Sequence, residues 1–145
     1  MNGHGLSAGD RLFREAFESG RLAPSAFDHR AHVRLAYVYL AEHDVEAAVD
    51  RMRAGLRAFI AHHAIDPAKY HETMTRAWIL AVRYFMELSP EAESADDFID
   101  RNPRLLDGAI MLTHYSAGLL FSPEARAGFV EPDLDAIPRH ERPRE

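Results

Sequence analysis

A chain of 145 residues, of which 47% are hydrophobic, has the length of one domain and enough apolar side chains to bury one core. It contains no cysteine, which excludes disulfides, thiolate zinc sites and a cysteine nucleophile, so any metal must be bound by His, Asp or Glu. The formal net charge of −6 argues against non-specific binding to nucleic acid, which requires a positive field.

The distribution of apolar residues also bears on location. No apolar run approaches the roughly 18 residues that a membrane-spanning helix needs. The first residues lack the basic and then apolar pattern of a secretory signal. We therefore expect a cytoplasmic protein that contacts neither a membrane nor nucleic acid.

The N-terminal segment 1–6 shows no helical or strand pattern, and we expect it to be disordered. Ser7 and Asp10 then have the spacing of a capping box, which predicts the start of a short helix. Gly20 is a typical C-terminal stop, so this helix should end close to it.

Three longer helices should follow, separated by short connections. Ser25 or Asp28 offers an N-cap to the first of them, and Asp44 offers one to the second. Asp66 followed by Pro67 is the clearest helix start in the chain. Apolar residues recur at intervals of three and four within each segment, as on one face of a helix. The predicted bounds are about 28–42, 45–62 and 67–88.

The C-terminal third should contain shorter helices. Ser94 caps one of them, and Pro103 starts another that runs to about Met111 although Gly108 interrupts its pattern. Ser122 opens the last. We therefore divide the chain into a disordered N-terminus (1–6), one helical domain (7–130) and a loose tail rich in charge and proline (131–145).

The predicted fold is all-α, because no stretch of useful length alternates as a β-strand does. Short connections place successive helices antiparallel to each other. The expected architecture is a single-domain helical bundle, with three longer helices running up-down-up and short helices at the N- and C-terminal ends.

Nine histidines are the main chemical signal of the sequence. In an up-down-up bundle, the start of the first long helix, the end of the second and the start of the third meet at one end. These three ends carry His29 and His32, His63, and His71. Since His29 and His32 fall on the apolar face of their helix, they need partners, and an unpaired buried polar group costs roughly 1–3 kcal/mol.

Two ligands at i and i+3 on one helix, with a third from a neighbouring helix, are typical of metal sites in bundles. Three imidazoles suit zinc or iron(II) and leave a position open for water or substrate. Thr75 and Trp78, one and two turns beyond His71, should wall the pocket. The predicted ligands are His29, His32 and His71, with His63 or His114 as an additional ligand.

The same histidines also fit a purely structural polar cluster. A single histidine on an apolar face is usually a hydrogen-bonded core residue. The HxxH spacing of His29 and His32 is a weak signal, because it lacks the glutamate of the zinc-peptidase motif HExxH.

Glu72 and Tyr70 are the candidate catalytic groups beside His71. Glu72 would act as a general base, and the alternative is a surface ion pair with Arg76, four residues later. Tyr70 should border the pocket because it precedes His71 by one residue.

Other polar residues should lie outside this site. We expect Arg30 and Arg34 to face away from the pocket and to be solvated or paired with nearby carboxylates. His4, His62 and His140 should be exposed.

The segments FDHRAHVRLAYVYL (27–40) and YHETMTRAW (70–78), followed by NPRLLD (102–107) and HYS (114–116), carry a resemblance. The chain resembles a family of small, uncharacterised, all-α bacterial proteins over most of residues 25–132. The resemblance implies no activity and only that the two histidine segments occur together.

The leading functional hypothesis is a small metal-dependent enzyme acting on a small molecule, of lyase or hydrolase type rather than an oxygenase. The alternative is a non-catalytic module that binds a small organic molecule at the same histidine cluster. A third is an interaction protein, because a second strip on the last long helix would pack the C-terminal helices or form a homodimer face. That strip consists of Thr73, Ala77, Leu80 and Tyr84.

Overall fold

The computed structural model describes residues 3–138 and is all-α, without a strand in that range. The predictions for Met1, Asn2, His140 and the end of the tail fall outside it. The helices are α1 (Ala8–Glu18), α2 (His29–Glu42), α3 (Val45–His62), α4 (Glu72–Leu88), α5 (Ala95–Arg101), α6 (Ala117–Leu120) and α7 (Pro123–Ala127). The predicted caps are confirmed where the side chain accepts a backbone N–H, at Ser7, Asp28, Asp44, Ser94 and Ser122.

Helix α2 lies at the centre of the molecule, where it packs against α1, α3, α4 and α5. Its side chains from Leu35 to Ala41 are all buried, so no face of this stretch reaches solvent. The two arginines near the start of α2 form ion pairs, which is one of the two predicted alternatives. Arg30 pairs with Asp96, and Arg34 pairs with the buried Asp10.

The start of α4 differs from the prediction of a helix from residue 67. Pro67–Lys69 forms a single 3-10 turn, in which the amides of Lys69 and Tyr70 donate to the carbonyls of Asp66 and Pro67, three residues back. The chain then extends through Tyr70 and His71, and α4 begins at Glu72 with His71 as its N-cap. His71 therefore precedes the helix instead of lying on its face.

The predicted helix from Pro103 to Met111 is also wrong. This segment forms two 3-10 helices, Pro103–Leu106 and Gly108–Thr113, separated by an extended Asp107 whose side chain caps the second. Helix α6 was not predicted.

The prediction that the N-terminus is disordered is wrong for residues 3–6, and His4 is buried, whereas it was expected to be exposed. The His4 ring lies between the Met86 carbonyl, 2.8 Å from Nε2, and the Ala92 amide, 3.1 Å from Nδ1. The Gly5 amide also donates to the Ala92 carbonyl. These bonds attach the segment to the end of α4.

Residues 131–138 of the predicted loose tail lie along the segment between Thr113 and Ser116. The amides of Leu134 and Asp135 donate to backbone carbonyls there, and the Ile137 side chain is buried.

The second strip of α4 packs within the chain. Thr73, Ala77 and Leu80 are buried, and the Thr73 hydroxyl donates to the Gly128 carbonyl. These three residues of the strip are therefore covered within the chain, whereas Tyr84 is half-buried. No helix in residues 3–138 is long and apolar enough to cross a membrane.

Candidate functional site

A pocket of about 410 Å³ lies where the start of α2, the end of α3 and the start of α4 meet. The up-down-up arrangement therefore brings together the three helix ends that the sequence predicted to meet. The polar lining residues are Asp28, His29, His32, Lys69, Tyr70, His71, Thr75 and Arg126, and the apolar ones are Phe27, Leu56, Ile60, Met74 and Phe121.

Both ring nitrogens of His71 contact the protein backbone. Nδ1 accepts the Met74 amide at 3.1 Å, which caps α4, so the ring hydrogen is on Nε2. Nε2 donates to the Leu120 carbonyl at 2.7 Å. Burial lowers the pKa of His71, and the charge of Arg126 acts in the same direction. The imidazole is thus held neutral and in one orientation.

His29 is anchored at one nitrogen. Its Nε2 donates to the Leu105 carbonyl at 2.9 Å. The ring meets the edge of Trp78, with centroids 4.7 Å apart. Trp78 therefore supports His29 and does not itself line the pocket as the sequence suggested.

His32 differs from the other two histidines of the pocket. Its Nε2 is buried and has no hydrogen-bond partner among the described residues. Burial, with a smaller effect from His29, lowers the pKa of His32 to about 4. His32 is therefore neutral at pH 7, with one ring nitrogen left to bind something else.

The two predicted additional ligands lie elsewhere. His63 packs on Phe59 and does not line the pocket, although its Nε2 is also buried without a partner in residues 3–138. His114 binds the Asp135 carbonyl at a separate cavity of about 240 Å³. Within the described chain, no three His, Asp or Glu side chains form a group that could hold a metal ion.

The two candidate catalytic groups form a polar chain with α3. Glu72 is paired with Arg53, not with Arg76 as the sequence suggested, and Arg76 binds Glu46. The hydrogen bond from Arg53 lowers the pKa of Glu72. Tyr70 lines the pocket as predicted, but its hydroxyl donates to Glu72 at 2.5 Å. Burial raises the pKa of Tyr70, which keeps this hydroxyl protonated.

Thr75 lines the pocket as predicted, and its hydroxyl donates to the His71 carbonyl at 2.8 Å. Sequence reasoning missed two cations of the lining, Lys69 and Arg126. Lys69 could have been found, because it lies two residues before His71 in the layer that the prediction identified. Arg126 could not, since nothing in the sequence indicates where α7 packs.

Comparison of the chain with protein-family models, with curated proteins and with solved structures finds no match. The resemblance to a family of small helical bacterial proteins stays a prediction.

Proposed function

We propose that this protein binds a small organic molecule in the histidine pocket, with His32 as the side chain that recognises a polar group of the ligand. The observation that carries the proposal is that His32, which lines a 410 Å³ pocket, has a buried Nε2 without a hydrogen-bond partner in residues 3–138. Ligand pockets of this kind are mostly apolar and contain a few placed polar groups. A ligand hydrogen bond would remove the cost of leaving this nitrogen unpaired, roughly 1–3 kcal/mol.

Binding is better supported than catalysis because His71 and Tyr70, the groups of the pocket that would transfer a proton, are already engaged in hydrogen bonds. Proton transfer at His71 would break either the α4 cap or the bond to Leu120. Proton transfer at Tyr70 would break its bond to Glu72. The same bonds hold the walls in place before a ligand arrives, which lowers the cost of ordering them on binding.

The test uses 2-naphthol, a neutral aromatic probe with one hydroxyl, titrated into the full-length protein and followed by amide NMR and calorimetry. We expect saturable binding at a 1:1 ratio, with the largest shifts at residues of the pocket lining. Ile60→Trp and Met74→Trp should each abolish binding by filling the pocket. His32→Phe, which replaces the imidazole by an aromatic ring without nitrogens, should weaken the binding of 2-naphthol by about tenfold, the effect of one hydrogen bond.

The matched control is Ile110→Trp, since Ile110 lines the separate cavity beside His114. This variant should bind 2-naphthol as the unmodified chain does. Thermal unfolding of each variant checks that it is folded. The proposal is overturned if a folded Ile60→Trp or Met74→Trp variant retains the shifts, or if 2-naphthol causes no saturable shift in the unmodified chain.

A metal-dependent enzyme is the second candidate, because the unpartnered nitrogen of His32 shares its pocket with His29 and His71. A zinc or iron(II) ion bound by all three would require His71 to release one of its two backbone bonds. Elemental analysis of protein purified without a histidine tag tests this candidate. Stoichiometric metal that is lost in His32→Phe would favour it, and stoichiometric metal retained in His29→Ala, His32→Ala and His71→Ala would contradict it.

A cytoplasmic location and a homodimer stay predictions.

A further inference from the structure

Two cations at the pocket lack a carboxylate partner. Lys69 and Arg126 line the pocket and are exposed. Arg126 donates one N–H to the Ala68 carbonyl at 3.3 Å, and neither side chain forms an ion pair within the described residues. Three half-buried arginines of the bundle, Arg34, Arg53 and Arg76, are instead bound to carboxylates, with N–O distances of 3.0, 2.6 and 2.8 Å.

The lining of the pocket contains two cations and one carboxylate and is therefore net positive, although the whole chain carries −6. Asp28 is the acidic residue of the lining, and its carboxylate is occupied by the Ala31 amide at 2.9 Å. An adjacent cavity of about 510 Å³ shares Ile60, Tyr70 and Arg126 with the pocket and adds Arg57 to its lining. The Arg57 guanidinium lies 4.9 Å from the centre of the Tyr70 ring, which forms part of the wall between the two cavities.

From these observations we infer that the ligand is an organic acid, in which an apolar body fills the histidine pocket and a carboxylate lies between Lys69 and Arg126. This inference rests on the proposed function. The apolar body is required by the aliphatic and aromatic side chains of the lining, Phe27, Leu56, Ile60, Met74 and Phe121. The free edge of a guanidinium matches a carboxylate in shape and charge.

The experiment compares 2-naphthoate with 2-naphthamide, which has the same shape and no charge, by calorimetry on the full-length protein at pH 7. We expect 2-naphthoate to bind at least about tenfold more tightly, as for one charge-assisted hydrogen bond. Its affinity should fall with added salt, whereas that of 2-naphthamide should not.

Variants of Lys69 and Arg126 test whether these two cations bind the carboxylate of 2-naphthoate. Arg126→Gln and Lys69→Gln should each lower the affinity for 2-naphthoate by about three- to tenfold and leave that for 2-naphthamide unchanged. The matched control is Arg104→Gln, because Arg104 is an exposed arginine at the separate cavity beside His114. It should change neither affinity.

Equal affinity for the two naphthalene probes would overturn the inference and leave the proposed function intact. So would an unchanged affinity for 2-naphthoate in both Arg126→Gln and Lys69→Gln. Displacement of 2-naphthoate by an equal concentration of acetate would also overturn it, since acetate has no apolar body. Absence of saturable binding by 2-naphthol would instead reject the proposed function.

Discussion

The three imidazoles of the pocket differ in what their ring nitrogens contact. His71 is bonded on both sides and His29 on at least one, whereas the buried Nε2 of His32 has no partner in residues 3–138. Neutral imidazole offers one donor and one acceptor, so each bond also fixes the tautomer. In the pocket, the rings of His29 and His71 are therefore held by the backbone, and His32 is the histidine left to recognise a ligand.

The low pKa of His32 predicts how stability depends on pH. Its folded-state pKa of about 4 lies below the value of about 6.5 expected in the unfolded chain. The unfolded chain therefore takes up the proton first as the pH falls, and stability is lost progressively from pH 6.5 toward pH 4. By pH 5 this loss should reach about 1–2 kcal/mol, and His71, whose pKa is also lowered, adds a loss of the same sign.

Urea unfolding at pH 8, 6.5 and 5 measures this effect. His32→Phe should lose clearly less stability between pH 8 and pH 5 than the unmodified chain does. Thr75→Val, which alters the same pocket without removing an imidazole, should retain the full loss. An unchanged pH profile in His32→Phe would contradict the assignment of the effect to His32.

Glu72 shows that residue spacing along one helix does not determine the partner of an ion pair. The spacing of four residues predicted an ion pair with Arg76 on the same helix, yet Glu72 binds Arg53 of α3 at 2.6 Å and Arg76 binds Glu46. A bond within one helix is worth only about 0.3–0.5 kcal/mol, so a better-placed partner on a neighbouring helix easily replaces it.

At the scale of the helices, the ends are decided by local hydrogen bonds. Asp28 and Asp44 cap α2 and α3 as their sequence positions predicted. His71 caps α4 through a ring nitrogen, whereas the standard preference for Ser, Thr, Asp and Asn pointed to Asp66. The pocket depends on this exception, because the extended Tyr70 and His71 form one of its walls.

The C-terminus of α3 offers a stabilising substitution. Ala64 has φ of 55°, and the amides of Ala64 and Ile65 bond to the carbonyls of Ala61 and Ile60, as in a Schellman motif. Glycine adopts this left-handed conformation without the steric cost that alanine incurs. Ala64→Gly should therefore raise the free energy of unfolding by about 0.5–1 kcal/mol.

The control is Ala61→Gly, within the last turn of α3, where glycine should lower stability by about 0.5–1 kcal/mol. Chemical denaturation measures both variants. If Ala64→Gly destabilised the protein to the same extent as Ala61→Gly, the strain at Ala64 would be refuted.

At the scale of the whole molecule, the N-terminal segment belongs to the packed structure. His4 meets the edges of the Tyr37 and Phe98 rings, with centroids 5.9 and 6.0 Å away, while it bonds to the end of α4 and to Ala92. His4→Ala should leave the Met86 carbonyl and the Ala92 amide unpaired and cost about 1–3 kcal/mol of stability.

The control is His62→Ala at an exposed histidine, which should change stability by less than about 0.5 kcal/mol. Thermal unfolding and amide hydrogen exchange at residues 3–6 provide the measurement. If the two alanine variants were equally stable, the segment would not contribute to the fold.

The sequence by itself determined the all-α class, the up-down-up order and the bounds of α2 and α3, because apolar periodicity and capping residues act over a few neighbouring positions. It also predicted that His29, His32 and His71 would meet at one end of the bundle, since short connections dictate antiparallel helices.

Only the tertiary structure decided what each of these side chains binds. The Leu105 and Leu120 carbonyls that hold His29 and His71 come from segments 76 and 49 residues away, and Arg126 comes from the C-terminal helix α7. Such partners depend on how loops and short helices pack, and no local pattern encodes that packing. The remaining free nitrogen of His32 is visible only after those long-range bonds have been assigned.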